Sequence, residues 1–409
     1  MKKRTAFLTA VFAICLVRVA YGQISPEQEK QLFSRVDEML ATVSEITGMK
    51  VVRPVPRALI SREKIREYVE QRMAKALKPE EIRGQEILLK KFGFLSPDFD
   101  LKSQTVDLLS EQAAAFYDFR EKKLYLAAWT PSALQDIALV HELAHALADQ
   151  HFKLKKFLDR GEDDDEALAR QAIVEGQASW VMSEYMARQA GQSLKHSPQL
   201  AAATIEASGQ TAKQFPVFGA APLYMQETLM FPYTAGMLFQ QAVVDKLGRA
   251  AFVEVFRRPP ASSQQVLHPE RYFENAAPTK PALPSLRLPG GYKKLLEGTL
   301  GELDHQILLQ QYAGQEEARR LGPAWRGSRY ALWENGREKR SVLHYAVEWT
   351  GEAEAARYFA DYRKICGRKW KRLEIESEQA GQVTGVGDDG RFQWTLRSNV
   401  FSSVEGLPQ

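Results

Sequence analysis

Cysteine is almost missing from this chain of 409 residues: there are two, Cys15 and Cys366. Cys15 lies in an N-terminal segment expected to be removed, so Cys366 stands alone and an intramolecular disulfide is excluded even in an oxidising compartment. An uninterrupted apolar run long enough to span a bilayer, roughly 20 residues, is also missing, because the stretch from Ala6 to Val17 stops at Arg18. There is no internal repeat and no sustained heptad pattern, which excludes solenoids and coiled coils. Charge of one sign is lacking as well. Residues 1–22 hold Lys2, Lys3, Arg4 and Arg18 and no acid, so 51 of the 55 basic residues remain against 51 acidic ones. The basic pI of about 8.8 therefore belongs to the leading segment, and no nucleic-acid partner is expected.

That leading segment has three parts: a basic start, an apolar middle, and Ala20, Tyr21 and Gly22 before Gln23. This is the layout of a secretory signal peptide. Ile14 before Cys15 spoils a lipoprotein signal, where a small residue is needed. The expectation is cleavage and release, with the mature chain periplasmic or extracellular and without stable membrane insertion.

The remainder, with 44% hydrophobic residues, has ordinary globular composition and room for more than one unit. The patterns predict a mainly helical α+β chain: an N-terminal helical region over 23–105, a central unit over 106–275, a Pro-rich linker at 276–291 and a small α+β unit over 292–409. Helices are expected at 25–49, where Ser25 and Pro26 make a start and Leu32, Val36, Leu40 and Val43 recur on one face, at 61–76, and from Pro79 towards Lys91. Residues 114–126 read as a hairpin with a charged turn. A helix runs from Pro131 and Ser132 to Gln150, and another from Ala167 to Arg188. The acidic run Glu162–Glu166 before the latter reads as a solvated helix start favoured by the helix dipole, rather than as a calcium site. Residues 193–224 read as loop-rich, with helix resuming from Tyr233 to Leu247.

The chemistry concentrates in Leu139–Leu147, LVHELAHAL. His141 and His145 are one turn apart, so both imidazoles leave one helix face and can grip a single ion. Neutral imidazole suits zinc, and a catalytic zinc takes three protein ligands and keeps one position for water, whose pKa falls towards about 7. Glu142 lies beside them as the base for that water. The flanking Leu139, Val140, Leu143, Ala144, Ala146 and Leu147 are uncharged, as a buried site helix requires. The third ligand is expected from Glu175 in AIVEGQAS: a lone carboxylate on an apolar helix face is costly to bury unless something coordinates it, and Gly176 allows close approach. One Zn2+ ion is the expected cofactor.

HELAH followed by EG-x-A resembles the gluzincin metallopeptidases of the MA clan, whose HExxH histidines and downstream glutamate bind zinc. The likeness spans about residues 111–258. Pro232-Tyr233-Thr234-Ala235-Gly236 is similar to the PYxxG element of the aminopeptidase and leukotriene-hydrolase branch. The resemblance implies a thermolysin-like arrangement of the site helix beside a small sheet, with Glu142 and Tyr233 as catalytic residues, Tyr233 supporting the oxyanion. The gap from His145 to Glu175 is longer than that branch's usual one. It also lacks the G-x-M-E-N segment that holds a substrate amine, so the resemblance implies an endopeptidase acting on a peptide or protein.

Five further positions have two readings each. Asp149, one turn past His145, can orient that histidine or stabilise the helix end. His151 can be a ligand or a helix-end residue, and His268 a proton donor or a helix cap. Tyr117 and Tyr125 can line a substrate edge or fill the core. At the level of the whole chain the alternative is a catalytically inactive zinc-binding scaffold or envelope interaction protein on a peptidase-like fold.

Overall fold

The computed structural model describes residues 13–14, 26–76, 78–127, 132–212 and 214–408. The expected signal peptide lies outside them except for Ala13–Ile14, strand β1. Helix α1 (Pro26–Thr47) buries Val36, Met39, Leu40, Val43 and Ile46, a spacing of three and four that gives one apolar stripe. After it come β2 (Arg57–Ile60), α2 (Arg62–Ala76), α3 (Pro79–Phe92) and α4 (Leu101–Gln112). Pro79 opens α3 at a position where its missing N–H costs nothing, and Gly93 closes it at φ 87°. Helix α4 is absent from the sequence reading.

The hairpin appears as β3 (Ala113–Asp118) and β4 (Lys123–Ala127), antiparallel, with β2 parallel on the far side of β4, in the order β1-β3-β4-β2. Helix α5 (Ser132–Phe152) lies along β3 and between α1 and α7. Ala138, Leu139, Val140, Leu143, Ala144, Ala146, Leu147 and Ala148 are all buried, so this helix is enclosed rather than amphipathic. The chain continues through α6 (Leu154–Leu158) to α7 (Asp164–Gln189), α8 (Pro198–Ala212), α9 (Pro216–Ala220) and α10 (Leu223–Leu247).

Two readings are corrected here. Residues 193–224 are largely helical, with Glu111 at the end of α4 accepting hydrogen bonds from the Val217 and Phe218 amides at 3.0 Å and so capping α9. Helix α10 begins at Leu223, ten residues before Tyr233, and Pro232 sits inside it. A proline removes one intrahelical bond, but packing against α7 on a close backbone contact carries the helix through.

Short helices α11 (Ala251–Arg257), α12 (Ser263–Leu267) and α13 (Pro269–Phe273) precede residues 276–291, which have no regular structure. The C-terminal part is built from β5 (Tyr292–Gly298), α14 (Glu302–Tyr312), α15 (Gln315–Leu321), β6 (Trp325–Asn335), β7 (Ser341–Trp349), α16 (Glu352–Lys369) and β8 to β11 (Leu373–Gln379, Gln382–Gly387, Gly390–Arg397, Val400–Leu407). Its strands form one antiparallel sheet, β5-β6-β7-β11-β10-β9-β8. Helix α16 lays Tyr358, Tyr362, Ile365 and Cys366 on it. Beneath, Glu405 is fully buried and satisfied by Lys369 Nζ at 2.8 Å, Tyr362 Oη at 2.5 Å and Ser403 Oγ at 3.0 Å. Cys366 is buried and free, as expected.

The acidic run does start α7, as expected, but Asp163 to Asp165 are not left to solvent, which is the third correction. Asp163 does cap the helix through the Glu166 amide, but its other oxygen accepts from Thr299 Oγ1 at 2.9 Å. Asp164 bonds Tyr330 Oη, and Asp165, 3% exposed, accepts from the Ser263 amide at 3.0 Å. The run therefore fastens α7 to the C-terminal half, a use of acids that local charge pattern cannot reveal.

Candidate metal centre

Three helices build the centre. His141 and His145 come from α5 with ring centroids 4.7 Å apart, and Glu175 comes from α7. Glu175 Oε2 lies 3.2 Å from His141 Nε2 and 3.3 Å from His145 Nε2. One ligand atom from each of the three can be chosen within 4.8 Å of the others, the one such group that could hold a metal ion among the described residues. All are buried, at 3%, 1% and 0% exposure. His145 Nε2 and Glu175 Oε1 have no hydrogen-bond partner. Buried polar atoms are rarely left so, and a divalent ion among them would satisfy both at once.

Burial pushes the Glu175 carboxyl up, but His145 and His141 outweigh it and hold the group at about 2, ionised as a ligand must be. Glu142 goes the other way. Burial first, and Glu175 next to it, lift its carboxyl to about 8 against the opposing pull of His141 and the Tyr117 amide. A cation bound among its neighbours would draw it down again. Its Oε2 accepts from the Tyr117 amide at 2.5 Å, while Oε1 has no partner. One oxygen is held and the other is left for a proton.

Helix α10 supplies Tyr233, whose ring stacks against His141 at 6.1 Å between centroids. It gets there because α7 and α10 touch backbone to backbone. A Cβ on Gly176 would fall 2.2 Å from the Gly236 carbonyl carbon, and one on Gly236 would fall 2.3 Å from the Ala172 oxygen. The glycine after Glu175 thus meets the glycine three places after Tyr233, so the two segments singled out in the sequence face each other. All five candidate residues, His141, Glu142, His145, Glu175 and Tyr233, converge.

The other candidates do not enter the centre. Asp149 turns away from His145 and accepts from Tyr117 Oη at 3.1 Å, Lys122 Nζ at 2.6 Å and the Leu154 amide at 2.9 Å. His151 meets the Lys50 carbonyl at 2.8 Å, and His268, between α12 and α13, meets Glu302 on α14 at 2.8 Å. Tyr125 is partly buried and bonds Glu121. Two contributions escaped the sequence reading. The Tyr117 amide on Glu142 is a backbone donor, invisible to residue type, although a hairpin just before the site helix was its available signal. The Phe119 ring, 6.0 Å from His145, carried no signal at all.

Comparison of the chain with protein-family models, with curated proteins and with solved structures finds no match. The site must be read from its own chemistry.

Proposed function

We propose that the protein is an exported zinc-dependent peptidase, most simply an endopeptidase, of the gluzincin kind. The observation that carries this reading is the buried His141–His145–Glu175 group with unpartnered donor atoms and a carboxylate beside it. Two imidazoles and a carboxylate are the donor set of catalytic zinc with one position open, so the residues fit the ion. Zinc, when bound, supplies a Lewis acid for the scissile carbonyl and acidifies a water. Glu142, with Oε2 tied to the Tyr117 amide, takes a proton on Oε1 and returns it to the leaving amine. Tyr233, beside His141, donates to the developing oxyanion. The substrate is a peptide or protein, and release after signal cleavage puts the mature chain in the periplasm or outside the cell. Among the described residues no helix is long and apolar enough to cross a membrane.

The deciding experiment measures zinc by elemental analysis and compares the protein with Glu142→Gln on a mixed-sequence peptide library. One zinc per chain, cleavage by the parent and loss of cleavage in the variant are expected. Absence of stoichiometric zinc sinks the metal reading. A metal-holding scaffold is the second reading, favoured by one observation: the three ligands and Glu142 are each no more than 3% exposed. Zinc bound with equal, near-zero cleavage by both proteins would establish it.

A further inference from the structure

The Asp149 carboxylate is 2% exposed and makes three contacts that bind the β3–β4 hairpin and the chain after α5 to the end of the site helix. Two of them come from the hairpin. Lys122 holds the turn at φ 56°, in the left-handed region, and sends its ammonium group to Asp149. Tyr117 sends its hydroxyl. Burial foremost, with the Asp149 charge, keeps that phenol protonated and therefore a donor. The same Tyr117 gives its backbone amide to Glu142 rather than to a neighbouring strand. One residue on β3 thus links two acids of α5 that lie seven positions, about two turns, apart: its ring end is held by Asp149 and its backbone holds Glu142.

We infer that Asp149 is a positioning residue, acting through Tyr117 and Lys122 to hold β3 against α5 so that the Tyr117 amide stays on Glu142 and leaves Oε1 open. This rests on the reading of Glu142 as the base. The rival anchor is the hairpin's own turn: Asp118 accepts from the Arg120 and Glu121 amides at 2.7 and 3.0 Å, and from Tyr68 and Arg72 on α2. That anchor fixes the hairpin's tip to α2. Asp149 fixes it to the site helix at its far end.

The test uses Tyr117→Phe, Lys122→Met and the conservative Lys122→Arg, with two readouts. The first is amide hydrogen exchange of residues 113–118 in zinc-free protein. The second is kcat and KM of the zinc-loaded protein on the mixed-sequence peptide library. Loss of either hydrogen bond is expected to speed exchange at 116–118 by about tenfold and to lower kcat by a similar factor, the value of one charged or buried hydrogen bond. KM and zinc content stay unchanged, and Lys122→Arg restores both readouts. Parent-like exchange and kcat in Tyr117→Phe and Lys122→Met would show that the Asp118 turn suffices and overturn the inference. If exchange speeds up while Glu142→Gln cleaves no less than the parent, the peptidase reading falls and the role assigned to Asp149 falls with it. Unchanged exchange overturns the inference alone.

Discussion

Glu142 and Glu175 carry the same side chain into the same buried centre, yet their proton affinities separate, one near 8 and the other near 2. The difference is position: two histidines outweigh burial at Glu175, whereas at Glu142 burial and the nearby Glu175 outweigh His141 and the Tyr117 amide. The two substitutions are therefore expected to be unequal. Glu175→Gln is expected to weaken zinc binding by more than the roughly 10- to 100-fold that loss of an outer-shell partner costs, while Glu142→Gln leaves zinc in place; competition with a chromophoric chelator reads both. A third buried acid acts on the whole fold. Burial, with Asp164 adding to it, lifts Asp304 from 3.8 to about 7, against the Gly301 amide and Tyr224. The folded chain therefore keeps a proton that the unfolded chain releases near 3.8, so this contribution to stability is full below that pH and is lost as pH rises to about 7. The denaturation midpoint should fall across that interval, and Asp304→Asn should flatten the slope.

At the scale of elements, the pair α7 and α10 decides whether the centre forms. Their backbones meet at Gly176 and Gly236 with no space for a methyl group, so Gly236→Ala must push the helices apart. Overpacking of this kind costs about 1–3 kcal/mol, and urea denaturation should show it together with weaker zinc binding, since Glu175 and Tyr233 ride on the two helices. Periodicity was a good guide wherever a helix had one apolar face, as in α1 and α3, and the HELAH helix was legible from its uncharged flanks. It missed α4 and the helices within 193–224, and tertiary contacts overrode the local reading at two further places. At Pro232 the residue's local preference for helix starts was overridden by tertiary packing, which let α10 run from Leu223. At Asp163–Asp165 the local reading, acids in water at a positive helix end, was undone by partners more than 95 residues away, Ser263, Thr299 and Tyr330. Of the site, His141, Glu142 and His145 follow from helix spacing alone. Glu175 rested on the cost of burying a lone carboxylate together with the resemblance and Tyr233 on the resemblance alone, and for the Tyr117 amide the hairpin before the site helix was the one signal.

For the whole molecule, the C-terminal sheet is joined to the rest by buried and partly buried contacts on several sides. Arg83 on α3 pairs with Glu334 on β6, Lys91 with Asp389 at 3.0 Å, and Gln264 donates to the Trp325 carbonyl at 2.6 Å. Tyr312 on α14 donates to the Gly93 carbonyl at 2.7 Å, and Lys369 to the Lys91 carbonyl at 2.8 Å. Among these joints the acidic start of α7 differs, because the same uninterrupted helix carries the proposed metal ligand ten residues further on, at Glu175. A helix has one rotational setting per residue, about 100°. The clamp at Asp163–Asp165 and the Glu175 carboxylate are consequently two keys cut on one shaft, and the number of residues between them is as much a part of the candidate site as the side chains themselves. One alanine inserted between Ala167 and Gln171 should turn the carboxylate off the metal and abolish zinc binding. The same insertion at Arg160, ahead of the clamp, should leave zinc content as it was.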